Sequence, residues 1–315
     1  MTETPKRAGF VTIIGRPNVG KSTLLNAILG EKLAIVSNRP QTTRNRILGV
    51  KTRGSDQLVL VDTPGIHRHK SNLNKFMVQE ALAGAAGVNA IVFVTEVNSK
   101  VLKKAAEADT PADTLRLVDE DRYVLEQIKA IDDQRPVILV INKIDRVKER
   151  QHLLPLMEMW HRQGFETIIP ISALQNDGVD GLLEALCTFL PEGEHIYPED
   201  MLTDKAERFL ASEYVREQVF LRCHEEIPYA TAVEIERYET RPSGDIMVEG
   251  AIIVERSGQK AIIIGKRGQM IKEIGTAARQ QLGDLLGQTV HMKLTVRVDP
   301  DWSHRPTGRR RFGYE

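Results

Sequence analysis

Cysteine is nearly missing from this chain of 315 residues: Cys187 and Cys223 stand alone, in no metal-type spacing. Two isolated cysteines exclude a disulfide framework. The opening MTETPKRAGFVTII carries no cleavable-signal pattern, so the expected location is the reducing cytoplasm. No apolar run approaches the ~20 residues that a helical membrane span needs. Internal repeats and long low-complexity segments are also lacking. Charge of one sign is absent overall, since 43 Lys and Arg balance 43 Asp and Glu, and the total therefore points to no partner. What remains is ordinary: 41% hydrophobic and 27% charged residues describe a globular chain, long enough for two domains.

Charge is uneven along the chain. From Ala251 to Glu315 twelve Lys and Arg face six Asp and Glu, a net of +6, which is an electrostatic footprint for a polyanion. The pattern of elements divides the chain in the same sense. Residues 8–190 alternate Val- and Ile-rich runs (FVTIIG, QLVLVDTPG, AIVFVTEV, PVILVINK, TIIPISA) with helical stretches. That alternation predicts an α/β domain with a mostly parallel sheet and helices on both faces. Residues 191–200, PEGEHIYPED, read as a linker with no periodicity. Residues 201–315 predict the order α-β-β-α-α-β, a smaller α+β domain, with TRPSG as the turn between its first two strands.

Two glycine-bracketed basic loops carry the chemistry. Gly15-Arg16-Pro17-Asn18-Val19-Gly20-Lys21-Ser22 fits G-x-x-x-x-G-K-[ST] between a predicted strand and a predicted helix that continues through Thr23. The glycines let backbone N–H groups wrap phosphates, Lys21 reaches the β- and γ-phosphates, and Ser22 is a ligand for Mg2+. Asp62-Thr63-Pro64-Gly65 follows a later strand. Asp62 there can hold the magnesium shell, and the Gly65 N–H can bind the γ-phosphate. Asn142-Lys143-Ile144-Asp145 gives the base: the Asp145 carboxylate accepts from guanine N1–H and the 2-amino group, donors that adenine lacks. Asn142 is expected to tie the base loop to the phosphate loop, and the Lys143 stem to lie over the ring. Ser172 and Ala173 offer backbone to the guanine carbonyl. Thr42 or Thr43, in RPQTTRNR, is expected to close over magnesium and γ-phosphate, with Thr43 favoured.

The second loop, Gly265-Lys266-Arg267-Gly268, lacks the G-K-[ST] of a phosphate loop for free nucleotide. It fits G-x-x-G between two helices beside a sheet, the KH pattern that clamps a four-nucleotide backbone. Lys266 and Arg267 face phosphates, while Ile264 and its neighbouring isoleucines form one wall of a base groove.

The ordered motifs of the first domain resemble the GTP-binding superfamily. Many of its small members place a water-orienting glutamine just after the D-x-x-G glycine. Here that position is Ile66, followed by His67, which reads as a solvated switch histidine. Asn18 is a candidate for another route: relatives with asparagine there hold a potassium ion against the phosphates, and the alternative is an asparagine that bonds locally. GRPNVGKS, QTTR, DTPG and NKID followed by GKRG resemble the Era family of bacterial GTPases over nearly the whole chain. The resemblance implies GTP hydrolysis with Mg2+, binding to the 3′ end of small-subunit ribosomal RNA, and a role in small-subunit assembly. Ile66 fits that family's hydrophobic replacement of glutamine. A monomer is expected. Two other readings stay open: a nucleotide-stabilised RNA-binding scaffold without significant hydrolysis, and a peripheral contact of the basic end with the inner face of the membrane. Residues 98–121 form a connection longer than is usual in the family, either a partner contact or a solvated insertion.

Overall fold

Five Val- and Ile-rich runs of the first half become strands of one sheet. The computed structural model describes residues 5–68, 72–105, 115–131 and 135–314. The strands are β1 (Arg7–Ile14), β2 (Ile47–Arg53), β3 (Asp56–Asp62), β4 (Ala90–Glu96), β5 (Val137–Asn142) and β6 (Ile168–Pro170). They alternate with α1 (Lys21–Leu29), α2 (Asn72–Ala83), α3 (Ser99–Ala105), α4 (Asp119–Lys129), α5 (Leu153–His161) and α6 (Val179–Cys187). Strand order is β2-β3-β1-β4-β5-β6, parallel throughout except for β2, which pairs antiparallel with β3. The chain divides into two compact units, and this sheet belongs to the first. Ile14, Phe93, Leu139 and Ile141 from the sheet share a core cluster with Val124 and Leu125 of α4 and with Met159 and Trp160 of α5. Burial of both sheet faces explains why the runs are continuously apolar rather than alternating.

Sequence periodicity gave no sign of β2. ILGVKTR mixes apolar and basic residues as an edge strand does, and it returns to β3 through Gly54, whose φ of 60° suits glycine. The stretch 191–200, expected as a linker, lies along the first unit. Ala8 N donates to Pro191 O at 3.1 Å and Gly193 N to Lys6 O at 2.9 Å. Gln57, fully buried, accepts from the backbone N–H of Ile196 and Tyr197 and donates to Tyr197 O. Isolated backbone bonds of this kind have no sequence period, which is why composition alone suggested a tether. The middle of the 98–121 connection, residues 106–114, lies outside the described residues.

The second unit holds α7 (Glu207–Arg222), β7 (Ala232–Thr240), β8 (Ile246–Val254), α8 (Ser257–Ile264), α9 (Gln269–Leu286), β9 (Val290–Val298) and the short α10 (Pro306–Arg311). Its sheet runs β7-β8-β9, antiparallel and then parallel. The C-terminal stretch is folded rather than a free basic tail. Trp302 is fully buried, donates to Ala230 O at 2.9 Å and packs edge-on against Phe312.

Segment Ile35–Arg44 also belongs to this second unit. Val36 N donates to Glu217 Oε1 at 2.8 Å. The Arg44 guanidinium is fully buried, donates to the carbonyls of Pro228, Tyr229 and Thr231, and lies 5.9 Å and 5.2 Å from the rings of Phe220 and Tyr314. Burial holds its pKa below the usual arginine value. Replacing Arg44 by Ala should leave those carbonyls without their donor and cost the second unit about 3 kcal/mol, read by urea unfolding. A change within about 0.5 kcal/mol, the level of a surface substitution, would show that the segment is only loosely held.

Candidate functional site

Three loops leave the carboxyl ends of the parallel strands β1, β3 and β5, and parallel topology makes that edge the place where they meet. The first is the phosphate loop. Gly15 passes so close to β4 that a Cβ would stand 2.3 Å from Val94 O. Gly20 caps α1 at φ 99°, and a Cβ on it would stand 2.3 Å from Asn142 Nδ2. Both positions therefore require glycine. Lys21 is buried and donates to Arg16 O at 3.1 Å. Burial pushes its ammonium down to about 8, against the pull of Asp62.

Ser22 Oγ donates to Asp62 Oδ2 at 2.6 Å, so two hard oxygen donors of the kind magnesium takes lie side by side. Thr63 Oγ1 ties the second loop to Ile13 O at 2.7 Å. A Cβ on Gly65 would stand 2.7 Å from Pro17, so the second loop touches the first. Ile66 is fully buried and its N–H donates to Gly15 O at 3.1 Å. His67 Nδ1 lies 2.9 Å from Gly65 O, a local bond that fixes its proton there.

The third loop is pinned by one amide. Asn142 Nδ2 donates to Val19 O at 2.8 Å, while its Oδ1 accepts from Lys143 N at 2.8 Å and Ala173 N at 2.9 Å. Lys143 adopts φ 66°, and its Nζ donates to Asn18 O at 2.6 Å. Asp145 is exposed, with one carboxylate oxygen held by Ser172 Oγ at 2.6 Å. Sequence reasoning gave Ser172 only a backbone part; its hydroxyl holds the Asp145 carboxylate. The Arg16 side chain also has a role that the motif did not announce, since it pairs with Glu96 and Asp121. Asn18 is exposed at φ 66°. Thr42 and Thr43 are buried in the segment that folds with the second unit, where Thr42 Oγ1 donates to Arg39 O at 2.8 Å.

In the second unit, α8 ends at Gly265 with φ 72°, Lys266–Gly268 make a single 3-10 turn, and Gly268 at φ 79° opens α9. Lys266 and Arg267 are exposed and form no ion pair among the described residues. Of the isoleucines before the loop, Ile263 is buried in the core, Ile264 is half-buried and Ile262 is exposed. Of the isoleucines expected to wall the base groove, Ile262 is the most accessible, while Ile263 turns into the core. Much of the C-terminal basic charge is spent internally: Arg297 pairs with Glu236, Arg305 with Asp299 and Arg311 with Glu234.

This is a guanine-nucleotide-type P-loop domain joined in one chain to a KH module. The family profile of the 50S ribosome-binding GTPases matches residues 10–143, and that of the KH domain matches residues 226–303. GTPase Era of Geotalea uraniireducens is 45% identical over 315 residues, spanning 100% of both chains, and GTPase Era of Geobacter sp. (strain M21) is 46% identical over the same span. Among solved structures, a point variant of Aquifex aeolicus Era bound to GDP and aluminium fluoride superimposes with a TM-score of 0.87 at 39% identity, covering 98% of this chain and 99% of that one. An Era in complex with MgGDPNP and nucleotides 1506–1542 of 16S ribosomal RNA gives 0.88 at 40%, with the same coverage. The chain belongs to the Era family, and it is a GTPase.

Lys21 sets a pH dependence. Phosphate beside a desolvated ammonium raises its pKa, so nucleotide binding draws in a proton once the pH exceeds the free-state value of about 8. Affinity for MgGDP should fall as pH rises through that value. Calorimetry in two buffers of different ionisation enthalpy should read an uptake approaching one proton at about pH 9 and a small one at about pH 7. Zero uptake at the higher pH would mean that the Lys21 ammonium is already charged there.

Proposed function

We propose that this chain is a GTP-hydrolysing switch that binds single-stranded RNA at the 3′ end of small-subunit ribosomal RNA and acts, as a cytoplasmic monomer, in assembly of the small subunit. The observation that carries the reading is the exposed Lys266-Arg267 pair between two glycines of positive φ, on a KH module, in the same chain as a complete set of guanine-nucleotide loops. The solved Era complex with MgGDPNP and 16S ribosomal RNA nucleotides supports both ligands.

On this reading the residues divide by task. Gly15 to Thr23 wrap the phosphates, with Lys21 paired to the β- and γ-oxygens. Ser22 and Asp62 would hold Mg2+, directly or through water, with Thr43 as the switch threonine that closes over it. Bound magnesium supplies positive charge against the charge that develops on the transferred phosphoryl group. Gly65 N–H reaches the γ-phosphate, Asp145 reads guanine, and Ser172 and Ala173 close the base pocket. Ile66 is buried and offers no hydrogen bond to water from its side chain. Asn18 would then hold a potassium ion, which would add positive charge at the phosphates. On that basis Asn18→Ala should abolish potassium stimulation of phosphate release and leave GTP affinity nearly intact. Equal turnover of the unaltered protein in sodium and in potassium would remove this route and leave the water to the switch backbone.

RNA rather than an anionic membrane is the ligand of the second loop, because two glycines shape backbone for a polymer and a membrane needs only charge. The test is Lys266→Asp with Arg267→Asp. Single-stranded RNA affinity should collapse, and the salt dependence should become shallower by about one to two neutralised phosphates. GDP binding and melting temperature should stay unchanged. A folded double variant that binds RNA as tightly as before would overturn the RNA reading, and selective loss of binding to phosphatidylserine vesicles would favour the membrane instead.

A further inference from the structure

Strand β4 lies between β1 and β5 in the sheet, so it neighbours both the strand that delivers the phosphate loop and the strand that delivers the base loop. Its last residue, Glu96, is in register with Asn142 at the end of β5. The β4 edge supports both loops through backbone as well: Gly15 packs on Val94 O, and Val97 N donates to Asn142 O at 3.1 Å. The Glu96 carboxylate reaches sideways in both directions. One oxygen accepts from Arg16 Nη2 at 2.8 Å, and the other pairs with Lys143 Nζ. Arg16 is held from its other side by Asp121, at 3.1 Å, and Asp121 is in turn bonded to Thr95 Oγ1 at 2.7 Å. The Glu96 and Arg16 side chains are each only 16% exposed, and Lys143 is 22% exposed. These are charge-assisted contacts with restricted access to water, the kind in which losing one partner is costly.

We propose that Glu96 is a positioning residue that braces the phosphate loop against the base loop, and that this brace sets how long a guanine nucleotide stays bound. A nucleotide that spans Lys21 and Asp145 is sensitive to the separation of the two loops. Beside the Asn142 amide, which already ties the two loops, Glu96 adds an ionic link through Arg16 on one side and Lys143 on the other, with Lys143 also bonded to Asn18 O of the phosphate loop. Asp121 holds the far side of Arg16, so that the guanidinium cannot turn away from Glu96. The inference rests on the guanine-nucleotide reading of these loops.

The distinguishing measurement compares a ligand that touches both loops with one that touches a single loop. In Glu96→Gln the side-chain shape is kept and the charge is removed. Dissociation of fluorescent GDP and GTP, followed by stopped flow, should speed up alike by about tenfold, the low end for losing a charge-assisted hydrogen bond. Inorganic tripolyphosphate, which engages the phosphate loop alone, should displace fluorescent GDP with its own affinity unchanged within about twofold, since the brace does not act on it. Equal weakening of GDP and tripolyphosphate would mean that the phosphate loop itself is damaged, and the proposal fails. Unchanged GDP dissociation in a folded variant also overturns it. If Glu96→Gln does not fold, Asp121→Asn, which removes the charge that holds the far side of Arg16, carries the same comparison; if neither folds, Glu96 is a structural residue and no brace. Absence of GDP binding by the unaltered protein would count against the nucleotide reading rather than the brace.

Discussion

The side-chain amide of Asn142 is the constraint on which the nucleotide site depends. A parallel sheet delivers its loops to one edge but does not by itself fix their mutual spacing. Asn142 does so by using both ends of a short, stiff side chain: its amide nitrogen takes Val19 O from the phosphate loop, and its oxygen takes N–H groups from Lys143 and Ala173. Because the residue is 2% exposed, each of these bonds replaces water that cannot return. The same closeness explains a sequence feature on another element. Gly20 has no room for a Cβ because the Asn142 amide stands where it would go. The two motifs are thus one packing solution written at two places in the chain.

The two basic glycine loops differ in where they keep their charge. Lys21 is buried, with its ammonium lowered by desolvation that Asp62 offsets only in part, and an anion brought into the loop offsets more of it. Such a group discriminates steeply between a phosphate and water, as a site for a small, tightly held nucleotide must. Lys266 and Arg267 stay in solvent at a turn whose glycines meet the backbone requirement. Charges held in water cost little to present and gain modestly from each phosphate, which suits a polymer bound through several contacts and sensitive to salt.

What was legible in the sequence was whatever local geometry dictates. Gly15 to Ser22, Asp62 to Gly65 and Asn142 to Asp145 are read from spacing, because backbone conformation and donor chemistry fix the residue types. The α-β-β-α-α-β order of the second unit followed from periodicity, and the strands β7, β8 and β9 lie where alternation put them. Less visible were features set by long-range contact. Strand β2 is an edge strand with weak alternation. The stretch 191–200 adheres through single backbone bonds and one buried glutamine, Gln57. Arg44 reads as one more basic residue in RPQTTRNR, yet it is fully buried among carbonyls supplied by residues 228–231. No local rule predicts burial of an arginine, because the groups that satisfy it lie almost 190 positions away.

The arginines also show why a charge count along a sequence overstates an electrostatic footprint. The net of +6 from Ala251 onward treats every Lys and Arg as available to a polyanion. Among the described residues the fold answers three of those arginines, Arg297, Arg305 and Arg311, with acids, and two of the acids, Glu234 and Glu236, lie outside the counted stretch on β7. Pairing across the β7-β8-β9 unit therefore cancels charge that sequence bookkeeping leaves standing. Lys260, Lys266, Arg267 and Lys272 enter no ion pair among the described residues, and all four lie on α8, the GKRG turn or the first turn of α9. Arg256, Arg279, Lys293 and Arg309 likewise enter no ion pair among the described residues, so the unopposed charge includes the loop but extends beyond it. Pairing removes only part of the attraction, so a preference for phosphates at fixed spacing has to come from the backbone geometry of the loop and not from the charge count.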